Sequence, residues 1–192
     1  MIQTALKFLT TNRVRITFFV VAGLGVLYWV DGLHPYRLLD TEALYGPVGA
    51  LLVLAGIFLR AWAAGVVHKN EVLATTGPYS LTRHPLYVGS FTATVGVFLV
   101  LGDLRGAVVI MVAFGLLYLP TILAEETKLR GLYPDAWEAY CARTALVGPR
   151  TLLPQLRTAW SVRRWAANRE YRALLTALVV LVVLEVLARR MA

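Results

Sequence analysis

Apolar residues along this chain come in long unbroken blocks, and polar residues gather between them. Five blocks stand out: ITFFVVAGLGVLYWV at 16–30, PVGALLVLAGIFLRAWAAGVV at 47–67, LYVGSFTATVGVFLVL at 86–101, AVVIMVAFGLLYLPTILA at 107–124 and LLTALVVLVVLEVLA at 174–188. None alternates with period two as a barrel strand would, and lipid admits only helices or closed barrels. Each block is expected to be a membrane-crossing helix. The first follows Lys7, Arg13 and Arg15 as a signal peptide's apolar region would, but DGLHPY after it offers no small-x-small cleavage site. It is expected to be retained. Only GDLRG at 102–106 separates the third and fourth blocks, which predicts a tight antiparallel helical hairpin. Pro47 suits a first helical turn. Arg60, in the last two turns of its block, is expected to snorkel or to reach into the protein. Glu185 stands one turn before Arg189 and predicts a local pair.

Composition agrees. Apolar residues make up 58% of the 192, charged residues only 16%, and the mean hydropathy is +0.65. So little charge cannot cover the surface of a soluble domain this size. The expected fold class is all-α: one polytopic membrane helical bundle over 1–192, with about five transmembrane helices and a cytoplasmic cofactor-binding segment. The net charge of +8, from 19 basic and 11 acidic residues, sits between the apolar blocks. That placement fits membrane topology and anionic headgroups, not nucleic acid. The positive-inside rule puts the N-terminus, the 68–85 loop and the 125–173 segment in the cytoplasm. The 31–46 loop and the 102–106 turn then face out, and so does the C-terminus, with Arg189 and Arg190 against the rule. The single cysteine, Cys141, excludes an intrachain disulfide and is expected to be a small buried residue. His34, His68 and His84 have no metal-ligand spacing, and no metal is expected. The excess of arginine over lysine, with much alanine, leucine and valine, suggests a GC-rich bacterial genome and hence an inner membrane.

Two polar blocks flank the hairpin on one predicted membrane face: HKNEVLATTGPYSLTRHPLYVG at 68–89 and EETKLRGLYPDAWEAYCARTALVGPR at 125–150. Both ends of a hairpin emerge on the same side, so these blocks are expected to meet. Pro78 constrains Gly77, and Pro85 suits the first turn of a helix with His84 near its N-cap and Arg83 just before. Tyr87 and Gly89 follow in the first turns, where glycine leaves room for a close neighbour. Glu125 and Glu126 end the fourth apolar block, at the unfavourable end of a helix dipole, and call for Arg83, Arg143, Lys128 or a cationic ligand as partner. Singly, each has a bland account: a cap, a headgroup anchor, solvated glutamates, or interfacial belt residues among Tyr79, Tyr87, Tyr118, Tyr133, Tyr140 and Trp137. His68, Lys69 and Glu71 stay with that account. A dozen such residues on one face point instead to a site.

GPYSLTRHPLYVG closely resembles the GPY-x-x-x-RHP-x-Y-x-G signature of the isoprenylcysteine carboxyl methyltransferase and phospholipid methyltransferase superfamily. LRAWAAG at 59–65 resembles the approach to that signature, and EETKLRGLYPDAWEAYCAR resembles the second one. The likeness covers residues 55–155. It implies S-adenosylmethionine as methyl donor, leaving as S-adenosylhomocysteine, held between the hairpin and the following cytoplasmic segment. By the same resemblance Tyr79, Arg83, His84, Tyr87 and Gly89 would line one wall, and Glu125, Glu126 and Tyr140 the other. Carboxylates suit the sulfonium and amine, and Arg83 or His84 the donor's carboxylate. The resemblance also gives Arg143 the role of positioning a carboxylate acceptor. RTALVGPR departs from the eukaryotic enzymes' Val-Pro-rich ending.

The expected function is therefore an isoprenylcysteine carboxyl O-methyltransferase-like reaction on a lipid or prenylated small-molecule acceptor, with no obligate protein partner. An aminophospholipid N-methyltransferase is the alternative, in which Glu125 or Glu126 would be the base. An NADPH-dependent sterol-type reductase and a non-enzymatic scaffold are the readings from other classes. A reductase needs several basic groups for phosphates where this chain has a glutamate pair.

Overall fold

The computed structural model describes residues 32, 35–39, 43–68, 72–148, 150–151 and 154–191. The apolar block at 16–30, the basic residues before it, His34, Lys69 and Glu71 lie outside the described residues. Within them the elements are α1 (Tyr45–Val66), a 3-10 turn (Gly77–Ser80), α2 (Pro85–Leu101), α3 (Leu104–Leu132), α4 (Pro134–Arg143), α5 (Val162–Ala167) and α6 (Tyr171–Met191). No strand occurs among them. Residues 45–66, 105–132 and 171–190 are long and apolar enough to cross a membrane, and α2 is a shorter apolar helix. The protein is an all-α membrane bundle.

α1 and α2 pack antiparallel on paired glycines. Gly49 faces Gly96, and seven residues on, Gly56 faces Gly89. A Cβ on Gly56 would lie 2.4 Å from the Gly89 carbonyl oxygen, and one on Gly96 would lie 2.4 Å from that of Gly49. With no hydrophobic drive between helices in lipid, such small residues let backbones pack by direct contact. Gly89 thus makes room for α1, at the helix crossing.

The hairpin forms as its spacing predicts. Gly102 ends α2 at φ +67°, the left-handed value that favours glycine. Asp103 caps α3, accepting from the backbone N–H of Arg105 at 3.0 Å and of Gly106 at 2.8 Å. One expectation is corrected. α3 does not end at the lipid boundary near residue 124 but runs to Leu132. Glu125 and Glu126 therefore lie inside the helix, away from its carbonyl end, and the dipole gives them no special need of a partner. The reason is local: EETKLRG is helix-compatible, and the stop comes only at Tyr133, which precedes Pro134 and leaves the helical region at φ −137°, ψ 61°.

The C-terminus of α1 is capped from far along the chain. Ala61 O accepts from Trp160 Nε1 at 3.1 Å, and Ala64 O from Asn168 Nδ2 at 2.8 Å. Gly65 O accepts from Ser161 N at 3.0 Å and Arg164 Nε at 2.7 Å. The open carbonyls of Ala64 and Gly65, together with a second bond onto Ala61 O, hold residues 160–168 in place. Of the two fates expected for Arg60, the structure shows the inward one. Its Nε and Nη2 donate to both oxygens of Glu170, at 3.1 and 2.7 Å. Nη1 donates to Leu86 O at 3.1 Å and to Ser90 Oγ. One guanidinium thus ties α1 to the first turns of α2 and to the entry of α6. Glu170→Gln keeps one acceptor and removes the charge. It is expected to cost about 1–3 kcal/mol of stability, measured as a lower melting temperature in detergent, whereas Glu138→Gln, on an exposed face, should leave it unchanged. At the other end the Glu185–Arg189 pair forms at 2.6 Å, and Glu185 also accepts from Leu38 N at 2.9 Å.

Candidate functional site

The GPYSLTRHP stretch is folded by its own prolines and glycine. Gly77 takes φ +62°, and Pro78 stands near the start of the 3-10 turn. The Ser80 hydroxyl closes the turn on Gly77 O at 2.7 Å. His84 is the N-cap residue of α2 and Pro85 its first helical residue, where a missing N–H costs nothing. The backbone then sews this stretch to the chain beyond α3. Arg83 N donates to Ala145 O at 3.1 Å and Gly77 N to Gln155 O at 2.7 Å, while Thr82 Oγ1 donates to Leu146 O at 2.5 Å. The two polar blocks meet.

At their junction lies one carboxylate. Glu126 Oε1 is 2.9 Å from Arg83 Nε and 3.1 Å from His84 Nε2. The Arg83 Nε–H does not point along that line, so the contact is an ion pair without an aligned hydrogen bond. His84 is only 5% exposed and the Glu126 side chain 20%, so the pairing is screened by protein more than by water. Arg83 also lies over the Trp137 ring, 5.9 Å from its centroid, a cation–π placement. Its Nη1 reaches Thr144 O at 3.4 Å. Next to this cluster Tyr87 donates to Glu125 Oε2 at 3.3 Å, and Glu125 is exposed. Behind it Tyr140 donates to Tyr79 O at 2.7 Å. Burial pushes both phenols well above the usual tyrosine value, so each stays a protonated donor through the neutral and alkaline range. From Tyr87 an aromatic series runs up the hairpin: Tyr118 at 5.6 Å, Phe114 stacked on Tyr118 at 4.2 Å, and Phe91 at 5.5 Å from Phe114.

Arg143 stands apart from the Glu126 cluster. It is exposed, its Nε donates to Ala139 O of its own helix at 3.2 Å, and it opens on a cavity of about 450 Å³ lined also by Thr75, Ser80, Tyr140, Thr151 and Gln155. Tyr140 lines this cavity from the core side and is 3% exposed. The structure thus brings Arg83, His84, Tyr87, Glu125 and Glu126 together and joins Tyr79 to Tyr140 beside them. It places Arg143 around the corner and Gly89 against α1. Cys141 is half-buried with a free thiol. His68 meets Arg164, with 2.6 Å between Nε2 and Nη1. Sequence reasoning left Trp137 among the belt residues, yet it is 1% exposed and packs at the centre of the core below the site. Its spacing of three from Tyr140, on the otherwise polar helix PDAWEAYCAR, was the available signal. Among the described residues no three of His, Cys, Asp and Glu gather as a metal site.

The donor set fits a cationic sulfonium cofactor with an amino acid tail. Glu125 and Glu126 supply negative charge and Arg83 can take a carboxylate, while the separate cavity beside Arg143, lined by hydroxyls and the Gln155 amide and not by either glutamate, has a volume in the range of about 300–1,000 Å³ usual for small-molecule sites.

The phospholipid methyltransferase family profile matches residues 47–136. The cobalt-zinc-cadmium resistance protein CzcN of Cupriavidus metallidurans is 35% identical over 164 residues, covering 81% of this chain and 72% of that protein. The nickel-cobalt-cadmium resistance protein NccN of Alcaligenes xylosoxydans is 32% identical over 149 residues, covering 77% and 69%. The protein-S-isoprenylcysteine O-methyltransferase of Schizosaccharomyces pombe is 29% identical over 89 residues, 46% of this chain and 38% of that enzyme. No solved structure matches the chain at comparable significance.

Proposed function

The chain belongs to the phospholipid methyltransferase family, and from that premise we propose that it transfers the methyl of S-adenosylmethionine to the carboxylate of a tailed, lipid-soluble acceptor such as a prenylated cysteine. The reaction would lie at the cytoplasmic boundary of a bacterial inner membrane. The observation that carries this reading is the single carboxylate of Glu126 held by both Arg83 and His84, since it joins the two signature segments in one cluster.

When bound, S-adenosylmethionine supplies an electrophilic methyl group on a sulfonium. Glu126 would stabilise its positive charge, with a smaller share from the exposed Glu125, and Arg83 would hold its carboxylate. What remains for the protein is alignment and exclusion of water. A carboxylate acceptor is ionised at neutral pH and needs no base. This suits a site whose better-buried glutamate is already committed to Arg83 and His84. Arg143, exposed on the polar cavity, would hold the acceptor's carboxylate. The aromatic series from Tyr87 to Phe91 offers its tail an apolar wall reaching from the site into the bilayer.

The test is calorimetric titration of S-adenosylhomocysteine into the purified protein, followed by transfer of a labelled methyl group to a prenylcysteine and to an aminophospholipid. Micromolar binding and label that alkali releases as methanol are expected, because an ester hydrolyses and an N-methyl group does not. Alkali-stable label on the aminophospholipid would move the acceptor to the amine class. Binding of NADPH in place of the homocysteine product would overturn the reading.

A further inference from the structure

An exposed face of α1 carries a built apolar slot, whose Trp62 packs on its other side against the core of Tyr79, Trp137 and Tyr140. Phe58, Ala61 and Trp62 form its floor and Trp160 its wall, enclosing about 280 Å³. The wall is fixed twice over. The Trp160 indole N–H is bonded to Ala61 O at 3.1 Å. Its ring also lies against Gly65 so closely that a Cβ there would come within 2.3 Å of Trp160 Cδ1. Trp160 nonetheless remains 47% exposed, so a rigidly held aromatic face is left open.

The surroundings say what fits it. Val48, Leu51, Leu54 and Phe58 are exposed at helical spacing on α1 and lead into the slot. From Leu51 to Ala61 that track is about 15 Å long at 1.5 Å per residue, and the hydrocarbon of one leaflet is about 15 Å deep. At the slot's mouth the chain turns basic. Residues 154–172 hold Arg157, Arg163, Arg164, Arg169 and Arg172 against one acid, Glu170, and that acid is taken by Arg60. Arg164 is occupied by Gly65 O and His68. Arg157 and Arg163 are exposed and stand three residues to either side of Trp160, within about 10 Å along the chain even if it is fully extended. An apolar track ending at a tryptophan flanked by two uncommitted arginines is complementary to a hydrocarbon tail that ends in an anionic headgroup.

We propose that this slot is a binding site for an anionic membrane phospholipid, with one acyl chain along Leu51–Phe58 and against Trp160, and its phosphate between Arg157 and Arg163. The site holds the 154–172 segment to the inner leaflet, and with it the cap that closes α1.

The full-length protein, reconstituted in phosphatidylcholine vesicles, would be doped with a minor fraction of chain-brominated phosphatidylglycerol or chain-brominated phosphatidylcholine. Bromine quenches indole on contact, and the Trp160 signal is the difference between the unaltered protein and Trp160→Phe. Brominated phosphatidylglycerol is expected to quench that signal at a fraction about fivefold or more lower than brominated phosphatidylcholine, since each interfacial arginine favours an anionic lipid by about that factor. Half-molar salt should abolish the preference. So should Arg157→Gln with Arg163→Gln, two exposed changes whose folding is checked by helical circular dichroism. Equal quenching by the two lipids would overturn the proposal. So would a preference that survives the double substitution, or no quenching of Trp160 by either lipid.

Discussion

Glu126→Gln is expected to weaken S-adenosylhomocysteine binding by roughly ten- to a hundredfold, the worth of one charge-assisted hydrogen bond. Methyl transfer should fall at least as far. Two effects add. The substitution removes the carboxylate proposed to face the donor's sulfonium and amine, of which the homocysteine product keeps the charged amine. It also leaves Arg83 and His84 without the charge that now lies 2.9 and 3.1 Å from them. A guanidinium stripped of its partner in a largely buried site is costly, so Arg83 is expected to reorient and leave the Trp137 ring, while His84 loses the carboxylate its ring nitrogen now meets. Glu125→Gln is the control. Glu125 is exposed, and its contact in the structure is the Tyr87 hydroxyl at 3.3 Å, so its loss should change binding by less than about threefold. Calorimetry on the two variants separates the glutamates. Equal losses would mean that the pair acts only as a diffuse negative patch, and the special place given to Glu126 would fail.

That distinction was beyond the sequence. EE at 125–126 presents two identical side chains, and which one turns toward RHP depends on the phase of α3. Apolarity marks where the membrane is, and it located the ends of α1, α2 and α6 to within a few residues. It carries no signal for a helix that continues into water, so α3 overran its apolar block by two turns. The meeting of the two polar blocks was legible because a hairpin with a five-residue turn returns both ends to one side. The place of Arg143 was not, because α4 turns separately after Pro134 and rotates that arginine onto the cavity beyond Tyr140. Nor could Arg60 be assigned its partner, since Glu170 lies 110 residues away and nothing local ties them. Gly89, read as leaving room for a close neighbour, has α1 as that neighbour. A glycine announces close approach without saying of what.

The helix crossing should be the most sensitive place in the fold, and the expected result there is the larger of the two in stability. Gly56→Ala is expected to destabilise the protein by about 3 kcal/mol or more. For a chain of this length that lowers the melting temperature by roughly 6–12 °C. The added Cβ would sit 2.4 Å from Gly89 O and 2.6 Å from Ala93 N. Those are backbone atoms of a helix and cannot swing aside as the end of a side chain does, so α2 must move bodily. Its first turns carry Leu86 and Ser90, which Arg60 grips, and follow directly on His84. A shift at the crossing therefore reaches the Glu126 cluster, and ligand binding should fall together with stability. Gly115→Ala supplies the contrast within the same bundle. A Cβ there meets nothing within 4 Å, and alanine is the better helix former by about 1 kcal/mol. It should be neutral or slightly stabilising. Equal melting temperatures for the two variants would show that α1 and α2 are held by something other than the contact of their glycines. The route from the crossing to the site would then have to run through the Arg60–Glu170 pair alone.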